Sequence, residues 1–388
     1  MRTGFMGPTD LRVALFSGNY NYTRDGANQA LNRLVGHLLA QGVAVRVYSP
    51  TLPRPAFAPT GDLVPVPAIP MPGGRQEYRL GRYLPADTRR DLEAFAPNLV
   101  HISAPDLLNH GAVTWARRRG IARVASVHTR FETYFRYYGI GFVEPLVRWL
   151  QTRLYNRVDR VLVPSASMGT LLRGWGVTTP IAIWSRGIDH ARFHPSRRDL
   201  AWRRGLGIGD DDVAVGFLGR LVKEKGLDVF AGVTRELRRR EVPHKVLIVG
   251  KGPAADWFAR QSPGAIFAGF QQGDDLGRAV ASMDVFFNPS ITETFGNVTT
   301  EAMAAGVPVV AARATGAVDL VEPGRTGFLV DPTDIPAYAD AIARIVDDPD
   351  LRHELGRAGH AKAQAYRWDT ANASVLATYL ELMREGSP

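Results

Sequence analysis

The chain contains no cysteine, which excludes a disulfide framework, a thiolate nucleophile and a cysteine-bound metal. No apolar run approaches the ~18 residues that a membrane span requires. The first run, Leu11 to Phe16, is too short for a signal-peptide core and reads as a buried first strand. The loop after it, Ser17 to Gly26, carries Gly18 and Gly26 but not the Gly-x-Gly-x-x-Gly spacing of a dinucleotide fingerprint, which counts against an NAD-dependent dehydrogenase. Lysine is missing from the first half. Residues 1–190 hold 23 arginines against 12 acidic residues, a net of +11, whereas residues 191–388 carry −2. Such asymmetry points to an anionic partner for the first half. The arginines are scattered and no recognised module accompanies them, so nucleic acid is not expected. A cytoplasmic location is expected, with peripheral attachment to the inner face of the cytoplasmic membrane as the variant the basic half allows.

At 388 residues, 45% apolar and 22% charged, the chain is a globular protein long enough for two domains. Its first half alternates strand-like and helical stretches. Leu11–Phe16 leads through a Gly/Asn loop to a helix with Leu31, Leu34, Val35 and Leu38 on one face, then Gly42 and the strand Val43–Tyr48. This is a βαβ unit. Runs at 99–102, 124–127 and 160–163 continue a doubly wound parallel sheet, and Pro50–Pro72 is read as a long loop beside it. The pattern restarts after Arg186–Pro195 with runs at 213–218, 246–249, 265–268, 285–288 and 307–311. The expected domains are therefore 1–190 and 191–365, with a C-terminal helix, about 366–388, crossing back onto the first. Two such sheets facing across a cleft would bind a ligand at their strand ends.

The most informative segment is Ser290-Ile-Thr-Glu293-Thr-Phe295-Gly296-Asn297-Val-Thr-Thr-Glu301-Ala-Met-Ala-Ala-Gly306-Val-Pro308. A short helix beginning beside Gly296 would aim its unpaired N–H groups and positive dipole end at a diphosphate. Glu301, about one turn in, could accept hydrogen bonds from a ribose; Glu293, before the helix, could accept them from a sugar. Together they read as a holder for a nucleotide-sugar. Glu301 could instead be a solvated helix residue, but its flank Ala302–Ala305 marks it as partly buried and in need of a partner.

Gly219-Arg220-Leu-Val-Lys-Glu-Lys225-Gly226 follows a buried strand and opens a helix. Alone it would be a solvated basic turn. Beside the glutamate segment, Arg220 and Lys225 could stabilise a departing diphosphate. No Asp-x-Asp pair stands within either motif to offer Mg²⁺ its oxygens, so no metal or other cofactor is expected. Gly26 allows close backbone approach to a phosphate or sugar, although from this segment alone an ordinary strand-to-helix turn is the favoured reading. His128, just past the run 124–127, stands where an active histidine would lie. Two stretches combine arginine with aromatics. Phe142–Val158 is read as a core-facing helix with a wet basic edge, and Arg75–Leu84 as the better candidate for touching lipid.

Gly219-Arg220, Lys225-Gly226, Val249-Gly250-Lys-Gly-Pro253, Glu293-Thr-Phe-Gly296 with Glu301-Ala302, Gly306-x-Pro308 and Gly324-x-x-Gly327 together resemble glycosyltransferase family 4, the retaining enzymes of the two-Rossmann GT-B architecture. His128-Thr129 and Trp184–Asp189 are similar to its lipid-directed sulfoquinovosyl- and mannosyltransferase branch. The resemblance implies that Glu293 and the backbone of Phe295, Gly296 and Asn297 hold the donor sugar. It places Arg220 and Lys225 on the diphosphate, Glu301 on the ribose, Gly26 on the phosphate side, and His128 facing the sugar; Gly250 belongs to the donor site. Asn297 departs from the usual aliphatic residue. The implied reaction is hexosyl transfer from a nucleoside-diphosphate sugar to an acceptor hydroxyl, with a membrane glycolipid as acceptor and a soluble or polysaccharide acceptor as the rival.

Overall fold

In a computed structural model the protein is described over residues 7–22, 25–70, 79–81, 83–137, 139 and 141–385. It divides into two compact units. One comprises Met1–Glu132, Phe142–Arg186 and Trp368–Pro388; the other comprises Thr133–Gly141 and Gly187–Arg367.

The first unit holds β1 (Arg12–Phe16), β2 (Ala44–Ser49), β3 (Asp62–Pro65), β4 (Ala68–Pro70), β5 (Arg79–Gly81), β6 (Leu99–Ile102), β7 (Ala122–Ser126), β8 (Arg160–Val163) and β9 (Ile181–Ile183). Seven of these form a sheet in the order β3-β2-β1-β6-β7-β8-β9, with every neighbouring pair parallel. Side chains alternate across it. Val13 and Leu15 enter a core with Leu31, Leu34 and Leu38, while Ala14 and Phe16 enter another with Trp115 and Leu172. A sheet covered on both faces needs apolar residues at successive positions, which is why β1 reads as an unbroken run. The helix Trp368–Glu385 contributes Val375, Tyr379 and Leu382 to the first of these cores.

Two readings of the sequence need correction here. The Pro-rich run is not a loop throughout, because β3 extends the parallel sheet beyond β2 and β4 pairs antiparallel with β5. An edge strand tolerates Pro65 at its end because no further strand needs that N–H. Phe142–Val158 also differs. Its helix, Glu144–Tyr155, buries Glu144, Gln151, Leu154 and Tyr155, leaving Phe142, Leu146, Trp149 and Leu150 exposed. Of the other arginine-aromatic stretch, Arg75–Tyr78 and Arg82 lie outside the described residues.

The second unit holds β10 (Ala214–Leu218), β11 (Lys245–Val249), β12 (Ile266–Gly269), β13 (Val285–Asn288), β14 (Val309–Ala312) and β15 (Gly327–Val330), in the order β12-β11-β10-β13-β14-β15. All pairs are parallel. The chain starts at β10, winds out through β11 and β12, then returns to β13 on the other side. That reversal is the topological switch point, where open α/β sheets bind ligands beyond their strand ends. The loops that leave β10 and β13 are Gly219–Gly226 and Pro289–Gly296. Both motifs singled out in the sequence therefore meet at the switch point of one sheet.

Candidate active site

Glycines bring the strand ends of the second unit close together. Gly250 has φ +145°, and a Cβ there would run into the Gly219 carbonyl; its N–H donates to the Gly269 carbonyl at 2.8 Å. Past β10 the chain makes a short 3-10 turn, Lys223–Lys225, and enters the helix Leu227–Arg239 through Gly226 at φ +70°. A Cβ on Gly226 would sit 2.9 Å from the Pro289 carbonyl oxygen, so only glycine lets the two loops approach. Thr292 Oγ1 then donates to the Glu224 carbonyl at 3.2 Å, and Lys225 Nζ pairs with Glu293 Oε1 at 2.5 Å.

The Glu293 segment is held from its other side too. Thr315 Oγ1 donates to the Glu293 carbonyl at 2.8 Å, and Gly316 packs against the Phe295 carbonyl. The Phe295 ring is buried edge-on against Tyr366, with centroids 5.6 Å apart, so this residue presents its backbone. Gly296, at φ +104°, caps the helix Asn297–Ala304 without a side-chain hydrogen bond, leaving the first N–H groups to other acceptors. Asn297 is half-buried at the first turn. Half-buried Glu301 has its carboxyl pushed up to about 8, chiefly by desolvation; Arg192 opposes the shift and the Glu293 charge adds to it. The two glutamates thus share one electrostatic neighbourhood. Arg220, exposed, lies in the same β10 loop. Among the described residues no group of three or more histidine or acidic side chains could hold a metal.

Gly26 and His128 belong to the first unit. Gly26 opens the helix Gly26–Ala40, whose N-cap Asp25 accepts from Asn28 N at 2.9 Å. His128 lies two residues past β7, and both its ring nitrogens are engaged. Arg186 Nη2 is 2.9 Å from Nδ1, and Ser126 Oγ is 2.8 Å from Nε2. A guanidinium only donates, so Nδ1 accepts and the proton of the neutral ring sits on Nε2, donating to Ser126. The Ser126 hydroxyl in turn donates to His101 Nε2 at 2.7 Å, and His101 Nδ1–H donates to Tyr379 Oη at 2.5 Å. Each link in this buried chain has a fixed direction. Burial holds His101 down to about 3, and burial with the Arg186 charge holds His128 well below the usual histidine range.

Sequence reasoning missed Arg186 and Arg192. Arg186 is buried over the Trp184 ring, 4.7 Å from its centroid, and desolvation lowers it to about 9. Arg186 falls within the Trp184–Asp189 stretch that carries the branch resemblance and Arg192 within the boundary segment Arg186–Pro195, but neither stands out in the sequence as a site residue. Their signal was an arginine set among apolar residues, which has to find acceptors when buried.

The family profile described as Glycosyltransferase Family 4 matches residues 24–192, and that described as Glycosyl transferases group 1 matches residues 212–348. The GDP-mannose-dependent alpha-mannosyltransferase of Corynebacterium glutamicum is 30% identical over 96% of this chain and 89% of its own length. Its namesake in Mycolicibacterium smegmatis is 32% identical over 95% and 97%. The sulfoquinovosyl transferase of Arabidopsis thaliana is 33% identical over 74% of this chain and 57% of its own. Among solved structures, sucrose-phosphate synthase from Thermosynechococcus elongatus superposes with a TM-score of 0.79 at 21% identity, covering 97% of this chain and 100% of that one. HepE of Anabaena in complex with UDP-glucose gives 0.73 at 19%, covering 95% and 99%. The chain belongs to glycosyltransferase family 4 and has the GT-B fold. It is a nucleotide-sugar-dependent glycosyltransferase, and the dehydrogenase alternative falls away.

Proposed function

We propose that the protein transfers a hexosyl group, with retention at the anomeric carbon, from a nucleoside-diphosphate sugar to a hydroxyl of a membrane glycolipid or its precursor. The observation that carries this reading is the Lys225–Glu293 pair beside the uncapped Gly296 helix, both at the switch point of one sheet. In this reading Glu301 holds the ribose, the N–H groups at Gly296 and Asn297 receive the diphosphate, and Glu293 orients the sugar. As the glycosidic bond stretches, charge builds on the leaving phosphate and is met by the helix end, Arg220 and Lys225, fixed before the reaction begins. The acceptor oxygen attacks from the leaving-group face and its proton passes to the departing phosphate, with no metal taking part. His128 keeps the role that the family resemblance implies, facing the sugar, and Arg186 sets its tautomer.

GDP-mannose is the first donor to try, because mannosyltransferase relatives are named for it, and the alpha designation in those names supports the retention proposed here. Peripheral attachment to the inner face of the cytoplasmic membrane belongs to the same reading. Support for a lipid acceptor comes from the arginine-only first half and the sulfoquinovosyl relative. Among the described residues no helix is long and apolar enough to cross a membrane.

The test is turnover with GDP-, UDP- and ADP-sugars against lipid and soluble acceptors, in the wild type and in Glu293→Ala and Arg220→Ala. Near-wild-type turnover in both variants would refute the site. A product of inverted configuration would refute the mechanism. Turnover confined to soluble saccharides would replace the lipid acceptor.

A further inference from the structure

The helix Glu144–Tyr155 is turned inside out. Its buried face carries Glu144 and Gln151 beside Leu154 and Tyr155. The exposed positions Leu146 (57%), Trp149 (56%) and Leu150 (40%) fall at i, i+3 and i+4, one stripe at helical period, and Phe142 (81%) precedes them in the 3-10 turn Gly141–Val143. Single exposed apolar residues are ordinary, but a contiguous patch marks a contact surface. Along the rest of the described sequence the exposed large hydrophobics are spaced singly apart from Phe267 and Phe270.

The stripe runs into positive charge. Arg153 lies over the Trp149 ring, 5.7 Å from its centroid. Arg157, one turn on, donates to Thr114 Oγ1 at 2.8 Å. Burial and the neighbouring Arg117 and Arg153 charges weaken Arg157's hold on its proton, which places these three arginines together, while Arg123 beside them is paired with Asp159. Among the described residues no carboxylate pairs with Arg153 or Arg157. Arg148 is neutralised by Glu144 at 2.7 Å and adds nothing to the cluster.

We infer that the outer face of Phe142–Arg153 docks the enzyme on an anionic lipid surface, with Phe142, Leu146, Trp149 and Leu150 seated among the acyl chains and Arg153 and Arg157 at the headgroups. The charge selects this occupant. An apolar face alone would suit a second copy of the chain, but pressing two basic clusters together would be unfavourable, whereas an anionic headgroup layer attracts each arginine near it. Binding of such a helix scales with its apolar area plus this attraction. The inference rests on the lipid-acceptor reading and names the surface that would bring the enzyme to its acceptor.

The experiment is sedimentation of the full chain with vesicles of phosphatidylcholine, with and without phosphatidylglycerol, at low and high salt. Nucleotide-sugar binding is measured in parallel without vesicles. The wild type is expected to bind the anionic vesicles and to lose binding at high salt. The triple variant Phe142→Ser/Leu146→Ser/Trp149→Ser should bind about tenfold or more weakly, and Arg153→Glu should bind weakly with a flattened salt dependence. Both variants should keep the wild-type melting temperature and donor affinity, since these side chains are exposed. Wild-type-like vesicle binding by the triple variant overturns the surface. Absence of wild-type binding to anionic vesicles overturns it too, and a dimer that the triple variant converts to monomer would then assign the face to self-association. Retained donor binding in these cases leaves the glycosyltransferase site standing, whereas vesicle binding without any donor binding would sink that site and spare the surface.

Discussion

Lys225 Nζ lies 2.5 Å from Glu293 Oε1, tying the turn that leaves β10 to the loop that leaves β13. With the side chains only 28% and 14% exposed, the pair is shielded more than a surface salt bridge, and each member sets the charge felt by the other. In the proposed reaction an arriving diphosphate would offer the ammonium a second anionic partner and leave Glu293 to the sugar. Lys225→Met should therefore reduce kcat/KM by roughly a hundredfold, and Lys225→Met/Glu293→Gln should lose less than the product of the two single losses. Steady-state kinetics on the four proteins measures this. Fully multiplicative losses would show the two residues acting independently.

Glu301 should make donor binding release protons. Its carboxyl is held up to about 8 in the empty site, so it is largely protonated at pH 7. Accepting hydrogen bonds from ribose hydroxyls favours the ionised form. Affinity for the nucleotide should thus rise as pH climbs from 6 toward 8 and level off above. Titration calorimetry in buffers of different ionisation enthalpy should detect the released proton in the wild type and lose it in Glu301→Gln. Identical proton counts in the two proteins would remove Glu301 from the ribose.

The chain of hydrogen bonds from Arg186 through His128, Ser126 and His101 to Tyr379 makes a prediction about acid stability. A histidine whose folded value lies below its unfolded ~6.5 contributes stability that is complete above pH 6.5. That stability is lost as pH falls, because the unfolded state takes up the proton first. His101, at about 3, should cost about 1.4 kcal/mol per pH unit between pH 6 and pH 4. Urea unfolding across that range should show a shallower pH slope in His101→Gln, whatever its overall stability. An unchanged slope would mean that His101 is free to protonate in the fold.

Arg203 is fully buried. Its guanidinium meets Asp284 at 2.7 Å and the Ser282 carbonyl at 2.7 Å, while Asp284 also accepts from Ala214 N and Arg198. Removing one side of a buried pair strands the other charge, at a cost of about 3–5 kcal/mol. Arg198 remains to share Asp284, so Arg203→Met should fall near the lower end. Arg204→Met, which removes the exposed partner of Asp210, should leave the unfolding midpoint unmoved. Equal effects of the two substitutions would contradict the burial argument.

Much of this site could be read from the chain because strand, glycine turn and helix recur with local signatures. Gly219, Gly226, Gly250 and Gly296 mark loop positions where a left-handed backbone or a neighbouring carbonyl excludes other residues. Glu293 and Glu301 are close in sequence, so one short loop and the first turn of the helix Asn297–Ala304 relate them. Pairing at long range is different: nothing local foretells that Lys225 meets Glu293, 68 positions away, or that Arg186 meets His128, 58 away, since each partner is chosen by the sheet order. The Glu144–Tyr155 helix misled for a related reason. Aromatic and leucine residues at helical spacing normally face a core, and only the packing of Glu144 and Gln151 reveals that this one is reversed.

The most direct measurement of the central claim is a crystal structure of the chain with GDP-mannose. The account predicts the diphosphate on the N–H groups at Gly296 and Asn297, the ribose hydroxyls on Glu301, and Lys225 drawn toward the phosphates. A nucleotide seated away from the β10 and β13 loops, with the Lys225–Glu293 pair undisturbed, would contradict it.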